Sequence, residues 1–107
     1  DSVLFYAILS TMDKEAVKKI LQSQSSFLKD RYHVKNMGIF GSVARNEEMS
    51  KSDVDILVEF NAPIGFFDFI KLENFLSKLL HKKVDLISKK ALKPAIKEAI
   101  LSEVVYV

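Results

Sequence analysis

An α/β (α+β) sandwich with a small central sheet flanked by helices is the fold class that this sequence predicts, on three observations. Segments with helical apolar spacing alternate with short β-branched runs along the chain. The length of 107 residues fits one domain with a small core. A hydrophobic share of 49% against 28% charged residues supplies that core and argues against intrinsic disorder.

Taken in order, residues 1–11 are read as an N-terminal extension, native or added, ahead of a domain over residues 12–107. Met12-Asp13-Lys14-Glu15 looks like a natural beginning followed by a helix. The alternative is a first helix or strand that packs on the domain. Asp13 is suited to cap a helix start. Ala16, Val17, Ile20, Leu21, Phe27 and Leu28 then form a helical stripe. Val34 to Phe40 reads as a strand ending in Gly41-Ser42. A short helix or turn over Val43 to Glu48 and a polar loop over Met49 to Ser52 follow. Asp53 to Phe60 is a strand rich in β-branched residues, closed by a turn at Asn61, Pro63 and Gly65. Phe66 to His81 has helical spacing, and its phenylalanines are read as core. Ile64 to Phe69 is also a candidate contact surface, with helix-start packing the preferred reading. Lys83 to Ile87 is a third strand. Ser88 is a candidate cap for a last helix over about Ala91 to Ser102, in which Pro94 fits only the first turn. Val104 to Val107 is a candidate final strand. Lys89, Lys93 and Lys97 recur at helical spacing and read as a solvated face.

Composition excludes several classes of function. Sixteen basic and fourteen acidic residues leave a formal net charge of +2, so neither a nucleic-acid stripe nor a strongly acidic partner is predicted. Without cysteine there are no disulfides, thiolate chemistry or Cys-based zinc sites. His33 and His81 lie too far apart for a local histidine metal pair. No apolar run approaches the ~20 residues of a membrane span. Val3 to Leu9, with no basic residues before it, makes a poor signal peptide, so a cytoplasmic location is expected.

Asp53-Val54-Asp55 carries the chemistry. In a strand, residues i and i+2 share a face, with Cα atoms about 6.5–7 Å apart. At an effective dielectric near 20, like charges 4 Å apart repel by about 4 kcal/mol, so a sequence shaped by stability alone would not place two carboxylates there. A divalent cation removes that cost, and hard oxygen ligands suit Mg²⁺ or Mn²⁺. Asp85 interrupts the third strand in the same way. On a neighbouring strand it would converge with Asp53 and Asp55, and three carboxylates can hold two cations about 3.5–4 Å apart for in-line attack at phosphorus. Taken singly, Asp53 also reads as a turn cap, and Asp85 as the partner of Lys82 or Lys83.

Gly41-Ser42 follows a strand and opens a turn. Glycine admits close approach of a ligand, backbone amides there face an anion such as a triphosphate, and the Ser42 hydroxyl adds a donor. Arg45 is placed to reach the same anion. Alone, the dipeptide reads better as a plain turn with a capping serine. Neither a P-loop nor a Rossmann glycine motif occurs.

Together these residues read GS-x10-DxD, which resembles the signature of the DNA polymerase β-type nucleotidyltransferase superfamily. The stretch GSVARNEEMSKSDVDILVEF resembles the minimal nucleotidyltransferase (MNT) family in particular. Similarity continues through FFDFIKLENFLSKLLHKKVDLIS and ALKPAIKEAILSEVVYV, covering about Met12 to Val107. The resemblance implies a polymerase β-like fold with a small mixed sheet, and transfer of AMP from ATP to an acceptor hydroxyl. Asp53, Asp55 and Asp85 match the family's catalytic and metal-ligating carboxylates, which implies two Mg²⁺ ions, or Mn²⁺. Gly41 and Ser42 match its triphosphate-holding residues. The family's usual glycine after the arginine is Asn46 here, a residue that also tolerates a left-handed backbone.

The resemblance further implies an antitoxin that adds AMP to a tyrosine of a helical HEPN-type toxin. The alternative is a catalytically silent nucleotide-binding module that neutralises its partner by complex formation. Transfer to a small molecule is a third reading, weakened because such relatives carry a second substrate domain. A domain of about 95 residues supplies only the nucleotide half of a site, so a protein partner and some self-association are expected, without membrane or direct nucleic-acid contact. Asp85 turned away from the other carboxylates, or a lysine ammonium between them, would count against this reading.

Overall fold

The computed structural model describes residues 13–47 and 53–107. The expected extension over residues 1–11 and the polar loop Met49 to Ser52 lie outside the described residues. Helix α1 (Lys14–Ser23) starts where Asp13 predicts, with Asp13 Oδ1 accepting from the Ala16 N–H at 2.9 Å. The apolar stripe does not continue as one helix. The chain breaks at Gln24, whose N–H donates to the Leu21 carbonyl, and resumes as α2 (Ser25–Tyr32). The break carries Leu28 into the core but leaves Phe27 half-exposed against the Tyr32 and Phe75 rings.

Strand β1 (Val34–Phe40) runs into a single helical turn, α3 (Gly41–Ala44). Asn46, just beyond it, takes the left-handed conformation with φ 57°, as its side chain allows. Then come β2 (Val54–Phe60), α4 (Phe66–Leu80), β3 (Val84–Ser88), a 3₁₀ turn over Lys89–Ala91, α5 (Pro94–Glu103) and β4 (Val105–Tyr106). Pro94 stands in the first turn of α5. Ser88 opens the 3₁₀ turn without a side-chain cap.

The mixed sheet has the order β3-β2-β1-β4. β1 is antiparallel to both β2 and β4, and β3 is parallel to β2, with α4 as the crossover that a parallel pair requires. Period-2 alternation sorts the sheet into two faces. Val54, Ile56 and Val58 of β2, with Val84 and Leu86 of β3, join the main core beside Val17, Leu21, Leu28, Leu72, Leu76 and Leu80. The other face carries a smaller cluster of Phe40, Leu57 and Leu92, packed against Ile100, Leu101 and Val104 of the C-terminal region. The acidic residues belong to this second face, because each alternates with a main-core residue.

Helix α4 buries Leu72, Leu76 and Leu80 completely, whereas Phe66 and Phe67 are 72% and 77% exposed. The expectation that the phenylalanines of this segment are core therefore holds for Phe69 and Phe75, which pack against it, and fails at the helix start. Side chains of α4 also clasp the edge strand: the Val84 N–H donates to Ser77 Oγ at 3.0 Å and the Leu86 N–H to Glu73 Oε2 at 2.9 Å. Those donors would otherwise lie open on the sheet edge.

Candidate active site

The site forms where β1 ends and β2 and β3 begin. Phe40 pairs with Asp55, and Asp55 pairs with Asp85 on the parallel strand, each at the same register position. Residues paired in this way point to one face, so Asp55 and Asp85 emerge side by side. Asp53 lies two residues before Asp55, at the entrance to the strand. The clasp from Ser77 and Glu73 fixes the residues on either side of Asp85, and so fixes the carboxylate's place along the strand.

Charge and burial act on Asp55 together. Partial burial raises its carboxyl above the usual range, and the negative charges of Asp85 and Asp53 raise it further, partly offset by Arg45. The repulsion anticipated from sequence is thus a property of the folded site. Lys83 answers some of it: its Nζ lies 3.8 Å from Asp53 Oδ2 and 4.0 Å from Asp85 Oδ1. This is the ammonium whose presence the sequence reading set as a counter-indication. It bridges Asp53 and Asp85 and so meets that counter-indication for this pair; it is 73% exposed, with no ion pair to Asp55 among the described residues. Exposed pairs at such distances contribute about 0–1 kcal/mol, so Lys83 is a weakly held counter-charge.

Among the described residues, no three acidic or histidine side chains are gathered tightly enough to cage an ion as they stand. The donor set nevertheless fits Mg²⁺ or Mn²⁺. It is all carboxylate oxygen, placed on one face, and the Asp55 carboxyl carries a cost that Arg45 offsets only in part and that a divalent cation would remove.

Gly41 turns the chain with φ 75°, and its α-carbon lies so close to Asp55 that a β-carbon would overlap the carboxylate. Both facts demand glycine. The Gly41 N–H, read from sequence as a phosphate donor, is already engaged: it donates to Glu103 Oε1 at 3.0 Å. Arg45 Nη1 donates to Glu103 Oε2 at 3.0 Å, and Arg45 Nε to Glu47 Oε2 at 3.1 Å. Ser42 has no side-chain hydrogen bond among the described residues. The structure thus brings Gly41, Ser42, Arg45, Asp53, Asp55 and Asp85 to one corner. It adds Glu103, Glu73 and Ser77, none of which carries a local sequence signal for this place, and it pairs Asp85 with Lys83, one of the two lysines that the sequence offered.

Comparison with known proteins identifies the family of the chain. The nucleotidyltransferase domain family matches residues 17–107. A Methanocaldococcus jannaschii chain named for protein adenylyltransferase activity is 49% identical over 92 residues, covering 85% of this chain and 94% of that one. The protein adenylyltransferase MntA of Thermococcus cleftensis is 40% identical over 99 residues, covering 92% of this chain and all of the relative. A solved structure described as a minimal nucleotidyltransferase superposes with a TM-score of 0.76 at 34% identity, covering 90% of this chain and 97% of that one. A Shewanella oneidensis complex of a tri-AMPylated HEPN toxin with its MNT antitoxin shares the fold at 16% identity, with a TM-score of 0.63 over 84% of this chain and 70% of that one. With its mixed four-stranded sheet and an acidic corner beside the Gly41 turn, the chain belongs to the nucleotidyltransferase domain family, among its minimal members.

Proposed function

We propose that this protein transfers AMP from ATP to a hydroxyl, with a tyrosine as acceptor, on a helical HEPN-type toxin, and so acts as an antitoxin. The observation that carries the chemistry is the pairing of Asp55 with Asp85 on adjacent parallel strands, with Asp53 two residues away and the Gly41-Ser42 turn beside them. Identity of 40–49% to protein adenylyltransferases over nearly the whole domain supports the reaction class. The tri-AMPylated toxin in the structural neighbour supports the partner.

Asp53, Asp55 and Asp85 would hold two Mg²⁺ ions, and these would supply charge neutralisation on the triphosphate and acidify the acceptor hydroxyl. The Ser42 hydroxyl donates to the triphosphate tail, and the Arg45 guanidinium sets positive charge on the same side. The acceptor oxygen attacks the α-phosphorus, the bond from that phosphorus to the bridging oxygen breaks, and pyrophosphate leaves. Asp85, at the sheet edge, takes the hydroxyl proton. The acceptor surface comes from the partner protein, with self-association of the domain alongside.

Incubation with labelled ATP, Mg²⁺ and a HEPN-type helical protein as partner tests this reading. Label should appear on the partner and disappear when Asp53→Ala and Asp55→Ala are combined. Label transfer that survives the double change would place catalysis elsewhere. Full neutralisation of the partner by the double variant would favour a silent binding module.

A further inference from the structure

We infer that Glu103 is a positioning residue for the nucleotide, holding the Gly41 turn and Arg45 in the arrangement that receives the triphosphate. The inference rests on the function proposed above and goes beyond it, since Glu103 lies on the last helical residue of α5, far in sequence from the GS-x10-DxD motif.

Three observations converge on this carboxylate. Its two oxygens are divided between two groups of the site: Oε1 accepts from the Gly41 N–H and Oε2 from Arg45 Nη1, both at 3.0 Å. Its position within α5 is electrostatically wrong for helix stability. The C-terminal end of a helix favours cations, and the last turn of α5 has no basic residue. A carboxylate there is sustained by its contacts outside the helix. The Gly41 N–H and Arg45 together hold Glu103 below the usual carboxylate range, so it is charged at neutral pH.

The chain just beyond Glu103 fixes its aim. Val105 pairs with Ile39 and Tyr106 with Gly38, which docks β4 against the end of β1 that leads into Gly41. At Gly38 a β-carbon would meet Val104 Cγ2 at 2.5 Å, so the contact closes only over glycine. Glu103, at the end of α5 and two residues before β4, is therefore held beside the turn at the end of β1. With the Gly41 amide committed to Glu103, phosphate is left the Ser42 hydroxyl and the Arg45 N–H groups that Glu103 and Glu47 do not take, both set by the turn that Glu103 holds.

Glu103→Ala and Glu103→Gln test this, with Glu98→Ala as a control on the same helix. The readouts are amide exchange of Gly41 by NMR, calorimetric affinity for a non-hydrolysable ATP analogue with Mg²⁺, and the KM and kcat of AMP transfer. In Glu103→Ala, Gly41 exchange should accelerate, and analogue affinity should fall about tenfold or more, as expected when charge-assisted hydrogen bonds are lost. KM for ATP should rise by a similar factor, with kcat changed less. Glu103→Gln keeps an acceptor oxygen for Gly41 and should fall between Glu103→Ala and wild type. Wild-type affinity in both Glu103 variants, with only a lower melting temperature, would reduce Glu103 to a structural tie and overturn the inference. Tighter binding in Glu103→Gln would make it a competitor of phosphate and overturn it equally. Should Glu103→Ala not fold, Glu103→Gln decides. Wild-type protein that binds no nucleotide at all would overturn the proposed function and this inference together.

Discussion

Gly41 and Asp55 are in contact across the β1–β2 pair, the glycine α-carbon lying against the aspartate carboxylate where no side chain fits. The turn and the acidic strand, recognisable in sequence as two separate halves of a motif, are one packed unit. Gly41→Ala should therefore damage both. A positive φ alone costs a non-glycine residue about 1–2 kcal/mol, and displacement of the Asp55 carboxylate adds to it. Urea denaturation should show a loss of at least that size. Nucleotide affinity should fall as well, and an unchanged affinity would mean that the turn does not serve the site.

Asp55→Asn should abolish AMP transfer while making the fold more stable at neutral pH. The Asp55 carboxyl titrates above its ordinary value of 3.8, so the folded chain binds that proton more tightly than the unfolded chain does. Its destabilising charge is fully present above the raised pKa and is relieved as pH falls through it. The advantage of Asp55→Asn should shrink on acidification and be gone below the ordinary carboxylate range. Chemical denaturation of both proteins as a function of pH measures this, and a constant difference across that range would contradict it.

Glu103 has the opposite sign. Held below its ordinary 4.5, it lends stability that is present at neutral pH and lost as pH falls through its folded value. Glu103→Gln should therefore flatten the acid limb of the stability curve, in a direction that Asp55→Asn does not share.

Lys83→Gln should leave stability within about 1 kcal/mol of wild type, since its ammonium is exposed and at the limit of ion-pair distance from Asp53 and Asp85. Saturating Mg²⁺ with ATP should raise the melting temperature of wild type and of Lys83→Gln alike. At a hundredfold excess over Kd, such linkage amounts to about 2.7 kcal/mol. A melting temperature that ignores the ligand in both proteins would leave Lys83 as the site's own counter-charge and remove the metal reading.

Phe66→Ser combined with Phe67→Ser should change stability by no more than about 0.5 kcal/mol, as both rings are exposed. Affinity for the helical partner should fall about tenfold or more if these rings anchor the interface, because buried aromatic residues carry much of the energy of such contacts. Equal affinity in a pull-down titration would move the interface to another surface.

The sequence disclosed the strands and the acidic corner for a simple reason. Val54, Ile56 and Val58 alternate with Asp53, Asp55 and Leu57, and a pleated strand turns that alternation into two faces. Asp85 between Val84 and Leu86 repeats the pattern, so adjacency of the two strands was enough to bring the acids together. Contacts between distant segments were not legible. Glu103 meets Gly41 across 62 residues, and Glu73 and Ser77 grip β3 from a helix whose polar positions look like ordinary solvated ones. Phe66 and Phe67 misled because they are apolar. At about 100° per residue Phe67 falls opposite the Leu72, Leu76 and Leu80 stripe, whereas Phe66, about 80° from the centre of that stripe, is exposed as the first residue of the helix. Gln24 gave no breaking signal because it is an ordinary helix former.

The pairing of β2 with β3 has a consequence for how this chemistry can be lost. Slide β3 by a single residue along its neighbour, and Val84 or Leu86 would stand beside Asp55 while Asp85 turned inward among leucines. One amino acid inserted between Val84 and Asp85 would keep every acidic residue in the chain and still dissolve the meeting point. The Ser77 and Glu73 clasp is what such an insertion must overcome, which makes these two helix residues guardians of the strand's alignment as much as of its edge.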